Sequence, residues 1–194
     1  MTIKPFRHSF LACMALGWAS LAQADIIVTP TFDASNQVSP PDTTDYEGNF
    51  FDGSSAPYDI TIGTFNFTIP TGNQIVGATI SGTFGDVNLP TTALADLFVD
   101  GITVAGCDDP TDACAAGTID GSLVPWSHTF SGTELSELAS GFAAGSLGFT
   151  AAQNSFGVLA VGTPTLDIQT VPEPSSIFAL TGGLLAFAAW RRSK

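Results

Sequence analysis

Between Asp25 and Thr170 the sequence has no lysine and no arginine. All five basic side chains, Lys4, Arg7, Arg191, Arg192 and Lys194, sit in the two ends, whereas 17 of the 18 carboxylates lie in the 146 residues between them. Ordinary surface salt bridges are therefore excluded from that span. So is nucleic-acid binding, which needs cationic side chains to displace phosphate counterions. The acidic balance suits solubility, divalent cations or neutral polymers, because self-repulsion opposes aggregation and disfavours anionic partners at low salt. Histidine is scarce too: His128 is the only one in the span, too few nitrogen donors for a zinc site.

Long apolar runs are confined to the ends. At the start, Lys4, Arg7 and His8 precede an apolar stretch from Phe10 to Leu21, and Ala22-Gln23-Ala24 then supplies the small residues that a signal peptidase reads. Residues 1–24 are thus expected to be a signal peptide whose removal leaves Asp25 as the new N-terminus. Lipidation at Cys13 fits poorly, since it would leave only Phe10-Leu11-Ala12 as an apolar region.

At the other end, Val171-Pro172-Glu173-Pro174-Ser175-Ser176 is followed by an uncharged run from Ile177 to Trp190 and then by Arg191-Arg192-Ser193-Lys194. Each proline lacks an N–H and fixes its own φ, so the motif is expected to avoid helix and sheet and to be extended and accessible. Fourteen residues at about 1.5 Å each make roughly 21 Å, short of the roughly 30 Å of bilayer hydrocarbon. Thr181-Gly182-Gly183 weakens the run further as a helix. A single marginal membrane helix over 177–190 suits a temporary tether, and the basic cluster places its end in the cytoplasm.

This succession of motif, apolar run and basic end resembles the PEP-CTERM sorting signal of bacteria that secrete exopolysaccharide. The resemblance covers residues 171–194. It implies that Pro172-Glu173-Pro174 is the recognition peptide of an exosortase, a membrane-embedded cysteine protease that removes the tail. It further implies transient anchoring in the inner membrane, then release to the cell surface or extracellular matrix, in a setting of exopolysaccharide, biofilm or floc.

The span 25–170 is the size of one domain, and its 11 phenylalanines can furnish a core. Its periodicity is two. Phe65, Phe67 and Ile69 alternate with Thr64, Asn66 and Thr68, and Val76, Ala78, Ile80 and Phe84 alternate with Thr79, Ser81 and Thr83. Ile60 and Ile62 have the opposite parity to Phe65, which predicts a bulge or bend near Gly63. Asp100-Gly101 between Leu97-Phe98-Val99 and Ile102-Thr103-Val104 predicts a hairpin with a two-residue turn. Further strands are expected at Ile26–Thr29, Trp126–Phe130, Leu147–Ala151, Phe156–Val161 and Thr165–Gln169. One helix of about two turns is expected near 133–140, capped by Thr133, with Leu135 and Leu138 inward and Gly141 ending it. Residues from Thr31 to Pro57 read as a long surface connection. The fold expected is an antiparallel, jelly-roll-like β-sandwich.

Candidate chemistry is sparse. Cys107 and Cys114 close a turn-rich loop, and in an exported chain a disulfide is the default, contributing roughly 2 to 3 kcal/mol. Their spacing is not Cys-x-x-Cys, which excludes the common redox motif. Asp108, Asp109 and Asp112 offer oxygens to Ca²⁺ but match no EF-hand, and a solvated acidic turn explains them as well. Ser127 and His128 cannot pair as nucleophile and base, because adjacent strand residues point to opposite faces, and the polar His128 is expected on the outer one. Glu134 and Glu137 sit at i and i+3, where the helix dipole accounts for them.

Three functional classes stay open. The first is a non-enzymatic structural or interaction protein of the cell surface or matrix, maturing through signal peptidase and exosortase and meeting extracellular polysaccharide, with no resident cofactor. The second is a carbohydrate-binding module with Trp126, Tyr46 or Tyr58 as a stacking platform. The third is a glycoside hydrolase working through two close carboxylates, one desolvated. Exposure of the aromatics discriminates the second from the first.

Overall fold

A computed structural model describes residues 23–39, 48–52, 58–86, 95–107, 123–153 and 158–173. Along them the chain forms β1 (Ala24–Val28), β2 (Thr31–Phe32), β3 (Asn49–Asp52), β4 (Tyr58–Asn66), β5 (Asn73–Asp86), β6 (Ala95–Val99), β7 (Ile102–Cys107) and β8 (Val124–Thr129). Helices α1 (Gly132–Glu137) and α2 (Ala139–Ala144) follow, then β9 (Ser146–Gln153), β10 (Val158–Val161) and β11 (Thr165–Pro172). All pairings between these strands are antiparallel.

Two sheets result, and the chain switches repeatedly between them, the jelly-roll habit. One runs β2-β4-β9-β6-β7, and the other is built on the long strand β5. β11 covers Asn73 to Ser81 of β5 and β10 covers Phe84 to Asp86. β8 pairs Thr79 to Phe84, overlapping both, so it must occupy the opposite edge. β10 and β11 therefore lie end to end along one edge of β5, joined where the Gly162 N–H donates to the Thr83 carbonyl at 3.0 Å. β3 and β1 flank them in turn.

The alternation seen in the sequence buries its apolar side between the sheets. Ala78, Ile80, Phe84, Leu166 and Ile168 from one sheet meet Phe65, Leu97, Leu147 and Phe149 from the other in a single core. The Phe65 and Phe149 rings lie 5.8 Å apart and tilted, a favourable aromatic arrangement. The expected phase flip in β4 is present: Thr61 pairs Thr150 and Gly63 pairs Phe149, leaving Ile62 as an extra residue, and Ile60, Ile62 and Phe65 are all buried. The expected hairpin is present too, with Asp100 at φ 44° and Gly101 at φ 85°. Both turn positions thus take the left-handed values of a primed turn.

Three expectations need correction. The stretch from Thr31 to Pro57 contains β2 and β3, and Phe50 and Phe51 of β3 are buried, because a strand of four residues is too short to show periodicity. Val76 does not share the inward face with Ala78: Gln169 pairs Gly77 and Thr170 pairs Ile75, so Val76 bulges outward and is 46% exposed. The helical region starts earlier and continues further. Ser131, not Thr133, is the cap: its hydroxyl accepts from the Glu134 N–H at 3.3 Å while Glu134 Oε2 accepts from the Ser131 N–H at 2.6 Å. This reciprocal box satisfies two donors that helix geometry leaves free. Gly141 lies inside α2, packed against Leu147 and Asp100, and Gly145 at φ 71° ends the helix.

Candidate functional site

The C-terminal strand delivers the chain to its tail at one well-defined place. Thr170 of β11 is fully buried; its hydroxyl donates to the Ala24 carbonyl and accepts from Asn73 Nδ2, each at 3.1 Å. One side chain thus ties β1, β11 and β5. Val171 and Pro172 then pair with Gln74 and Asn73, and the Glu173 N–H donates to the Gly72 carbonyl at 2.6 Å. The expectation that the prolines keep the whole motif out of the sheet is corrected for its first two residues. Pro172 is the last residue of its strand, lying beyond the β1 pairing, which ends at Thr170, so its missing N–H interrupts no ladder there.

Beside this exit lies an open groove of about 790 Å³, between the start of β5, the segment 67–69 and the two helices. The bulge at Val76 turns Ile75 and Asn73 into it. Phe67, Ile69, Leu135 and Phe142 supply most of the remaining apolar wall, with the Phe67 and Phe142 rings 6.0 Å apart. Among the described residues none of its lining is charged.

Glu134 caps the helix that roofs this groove. Its carboxyl is held below the ordinary glutamate value by the Ser131 backbone N–H first and the Ser131 hydroxyl second, with a smaller contribution from His128. His128 Nε2 lies 3.2 Å from Glu134 Oε1, within ion-pair range when the imidazole is protonated. His128 and Ser127 point to opposite sides of β8, as expected, but the outward one is Ser127: His128, expected on the outer face, shares the side of Trp126 and Phe130 because it is two residues from each. Ser127 is exposed, and His128 is half-buried against Phe130 with the rings edge to face at 5.0 Å.

The residues expected to stack on sugars fare differently. Trp126 is only 9% exposed; it belongs to the core, stacked on Phe149 at 6.4 Å, because its strand turns that face inward. Its edge nonetheless borders a shallow cleft of about 550 Å³ shared with Ser81, Thr83, Ser127, Thr163 and Thr165. Among the described residues the exposed large apolar side chains are Ile27 and Val76, both aliphatic. Tyr46 lies outside the described residues, and of Tyr58 only the backbone is described.

Of the residues expected to take part in processing, Ala24 and Asp25 are exposed at the start of β1, and Val171, Pro172 and Glu173 close the described chain. Ala22, Pro174, the run 177–190, Arg191, Arg192 and Lys194 lie outside the described residues. Among the described residues no helix is long and apolar enough to cross a membrane. Cys107 is fully buried at the end of β7 and disulfide-bonded. Cys114 and the candidate calcium ligands Asp108, Asp109 and Asp112 lie outside the described residues. Among the described residues no three His, Cys, Asp or Glu side chains gather as a metal group. The groove is the feature that sequence reasoning missed, since Val76 is apolar and Asn73 polar and neither announces the change of face.

Comparison with known proteins bears on the tail. Residues 170–193 match the PEP-CTERM protein-sorting motif, which marks an exported protein with a C-terminal sorting signal processed by an exosortase. No curated protein matches the sequence. Two crystal structures of BuGH86 in complex with neoagarooctaose, the wild type and a variant, each align at 16% identity with a TM-score of 0.41. The alignment covers 76% of this chain but 19% of theirs, so this chain spans about a fifth of those proteins. At that TM-score the likeness bears on neither fold nor activity.

Proposed function

We propose that this is a structural or interaction protein of the bacterial cell surface or extracellular matrix, matured at both ends and associated with exopolysaccharide. The observation that carries the reading is the sorting motif at residues 170–193. Its placement agrees: β1 and β11 are neighbours, so both processing points lie at the same end of the sandwich. Cleavage after Ala24 would take away the carbonyl that Thr170 donates to, yet leave Asp25 to Val28 paired. In this reading Cys107 is bridged to Cys114, which closes the acidic loop in an oxidising compartment.

An acidic, lysine-free domain meets an anionic polymer only through divalent cations, or else meets a neutral one. Cosedimentation of the domain with purified native exopolysaccharide tests this. Retention that rises with millimolar Ca²⁺ and falls on chelation supports the matrix reading, and a domain that stays in solution under every condition defeats it for that polymer. A second reading, direct carbohydrate binding, draws on the hydroxyl-rich cleft beside Trp126. Trp126→Ala would confuse it by emptying the core, so Ser127→Ala and Thr83→Ala are the informative changes. Binding that is insensitive to chelator and weakened by both would favour this second reading.

A further inference from the structure

We infer that the groove beside the tail exit is the docking site for the chain's own apolar run, Ile177 to Trp190, whenever that run is outside a bilayer. Three observations carry the inference. The first is position: Pro172 pairs with Asn73, which lines the groove, and Glu173 is hydrogen-bonded to Gly72 at its rim. Only Pro174-Ser175-Ser176 separates Glu173 from Ile177, so Ile177 can lie at most about 14 Å from Glu173. That reach is short enough for the run to enter the groove without unpairing β11.

The second is charge. A domain with 17 carboxylates and no lysine or arginine keeps the lining of this groove uncharged. The run from Ile177 to Trp190 is likewise uncharged, so neither side loses ionic hydration on contact. The third is chemistry. Ile69, Ile75 and Leu135 are only half-buried and flank Phe142, so the groove offers apolar surface that the two sheets do not use. Apolar surface of this kind is stabilised by covering it.

Tethering makes a weak contact sufficient. A spacer of three residues places the run at an effective concentration on the order of millimolar, so even millimolar intrinsic affinity fills the groove about half the time. Lipid competes for the same run once a membrane is reached, and release of the tail vacates the groove. The inference goes beyond the proposed surface role and stands whether or not an exosortase cuts the tail.

The test uses the full-length, unprocessed chain in detergent-free buffer, with Cys13→Ser so that the signal segment brings no competing thiol. One variant pairs Ala139→Cys in the groove with Leu184→Cys in the run, and the comparison pairs Val76→Cys with Leu184→Cys. Val76 sits at the bulge opposite Gln169 and Thr170, close to the exit, but faces outward. A short bifunctional maleimide should give at least about tenfold more intrachain product from the Ala139→Cys chain. Adding Ser136→Asp, which charges an exposed groove position without touching the core, should bring that yield down to the Val76→Cys level. Equal yields from the two pairs, product joining two chains, or a yield unchanged by Ser136→Asp would overturn the inference. Because no protease and no polysaccharide are present, failure here leaves the surface reading untouched.

Discussion

Strands β4, β5 and β7 each carry one extra residue, Val104 in β7, and in β4 and β5 the outcomes are opposite. In β4 the extra residue is Ile62, and the bulge returns Phe65 to the core so that both halves of the strand bury their apolar side chains. In β5 the extra residue is Val76, and the bulge sends it into solvent while turning Ile75 and Asn73 into the groove. The same backbone device thus closes the core in one place and opens a surface in another. What differs is the neighbour. Gly63 follows the first bulge, and a Cβ there would stand 2.6 Å from the Thr31 carbonyl oxygen, so its lack of a side chain lets β2 lie close. Beside the second, the sheet faces two short helices that do not fill the space.

Truncating the two extra residues gives the widest contrast. Ile62→Ala should cost about 2 to 5 kcal/mol, since the side chain is fully buried, whereas Val76→Ala should stay within about 0.5 kcal/mol. Urea unfolding of both measures it, and equal losses would refute the two roles. Ile75→Ala should fall between them, at about 1 kcal/mol, because its side chain is half-buried in the groove wall. A loss as large as that of Ile62→Ala would mean that the groove is part of the core.

A smaller effect sharpens the groove side. Glu134 titrates below the ordinary value of 4.5 in the folded chain because the Ser131 N–H and hydroxyl bond its charged form. A depressed carboxyl contributes stability that is present above the unfolded value and lost as pH falls through the folded one. Melting temperatures followed from pH 6 to pH 3 should therefore drop less steeply in Glu134→Gln, which keeps a capping amide but cannot titrate. Parallel slopes would remove the cap from the account. Ser131→Ala, losing the cap itself, should cost about 1 kcal/mol.

These two bulges also show what could be read in advance. The β4 flip was legible because apolar residues on both sides of Gly63 report their parity, and Asp100-Gly101 was legible because few residue pairs accept two positive φ angles. The β5 flip was not, since Val76 continues the apolar alternation and only the pairing with β11 reveals the extra residue. Trp126 invited a surface role by residue type, yet its strand phase with Phe130 places it inside. Gly141 looked like a helix end, but close packing against Leu147, not chain reversal, accounts for it; Gly145 supplies the left-handed turn. The tail was the most legible of all, since its order of motif, apolar run and basic end is local and needs no tertiary partner. The groove beside it depends on three separated segments and has no local signature.

If the chain is exported and trimmed at both ends, as proposed, its mature form has lost every lysine and arginine. Intact-mass measurement of the surface or extracellular form tests it most directly, because the span from Asp25 to Thr170 offers trypsin no cleavage site. One species is expected, beginning at Asp25 and ending after the Pro172-Glu173-Pro174 motif, without a single lysine or arginine. An extracellular form still carrying Arg191 and Arg192 would contradict it.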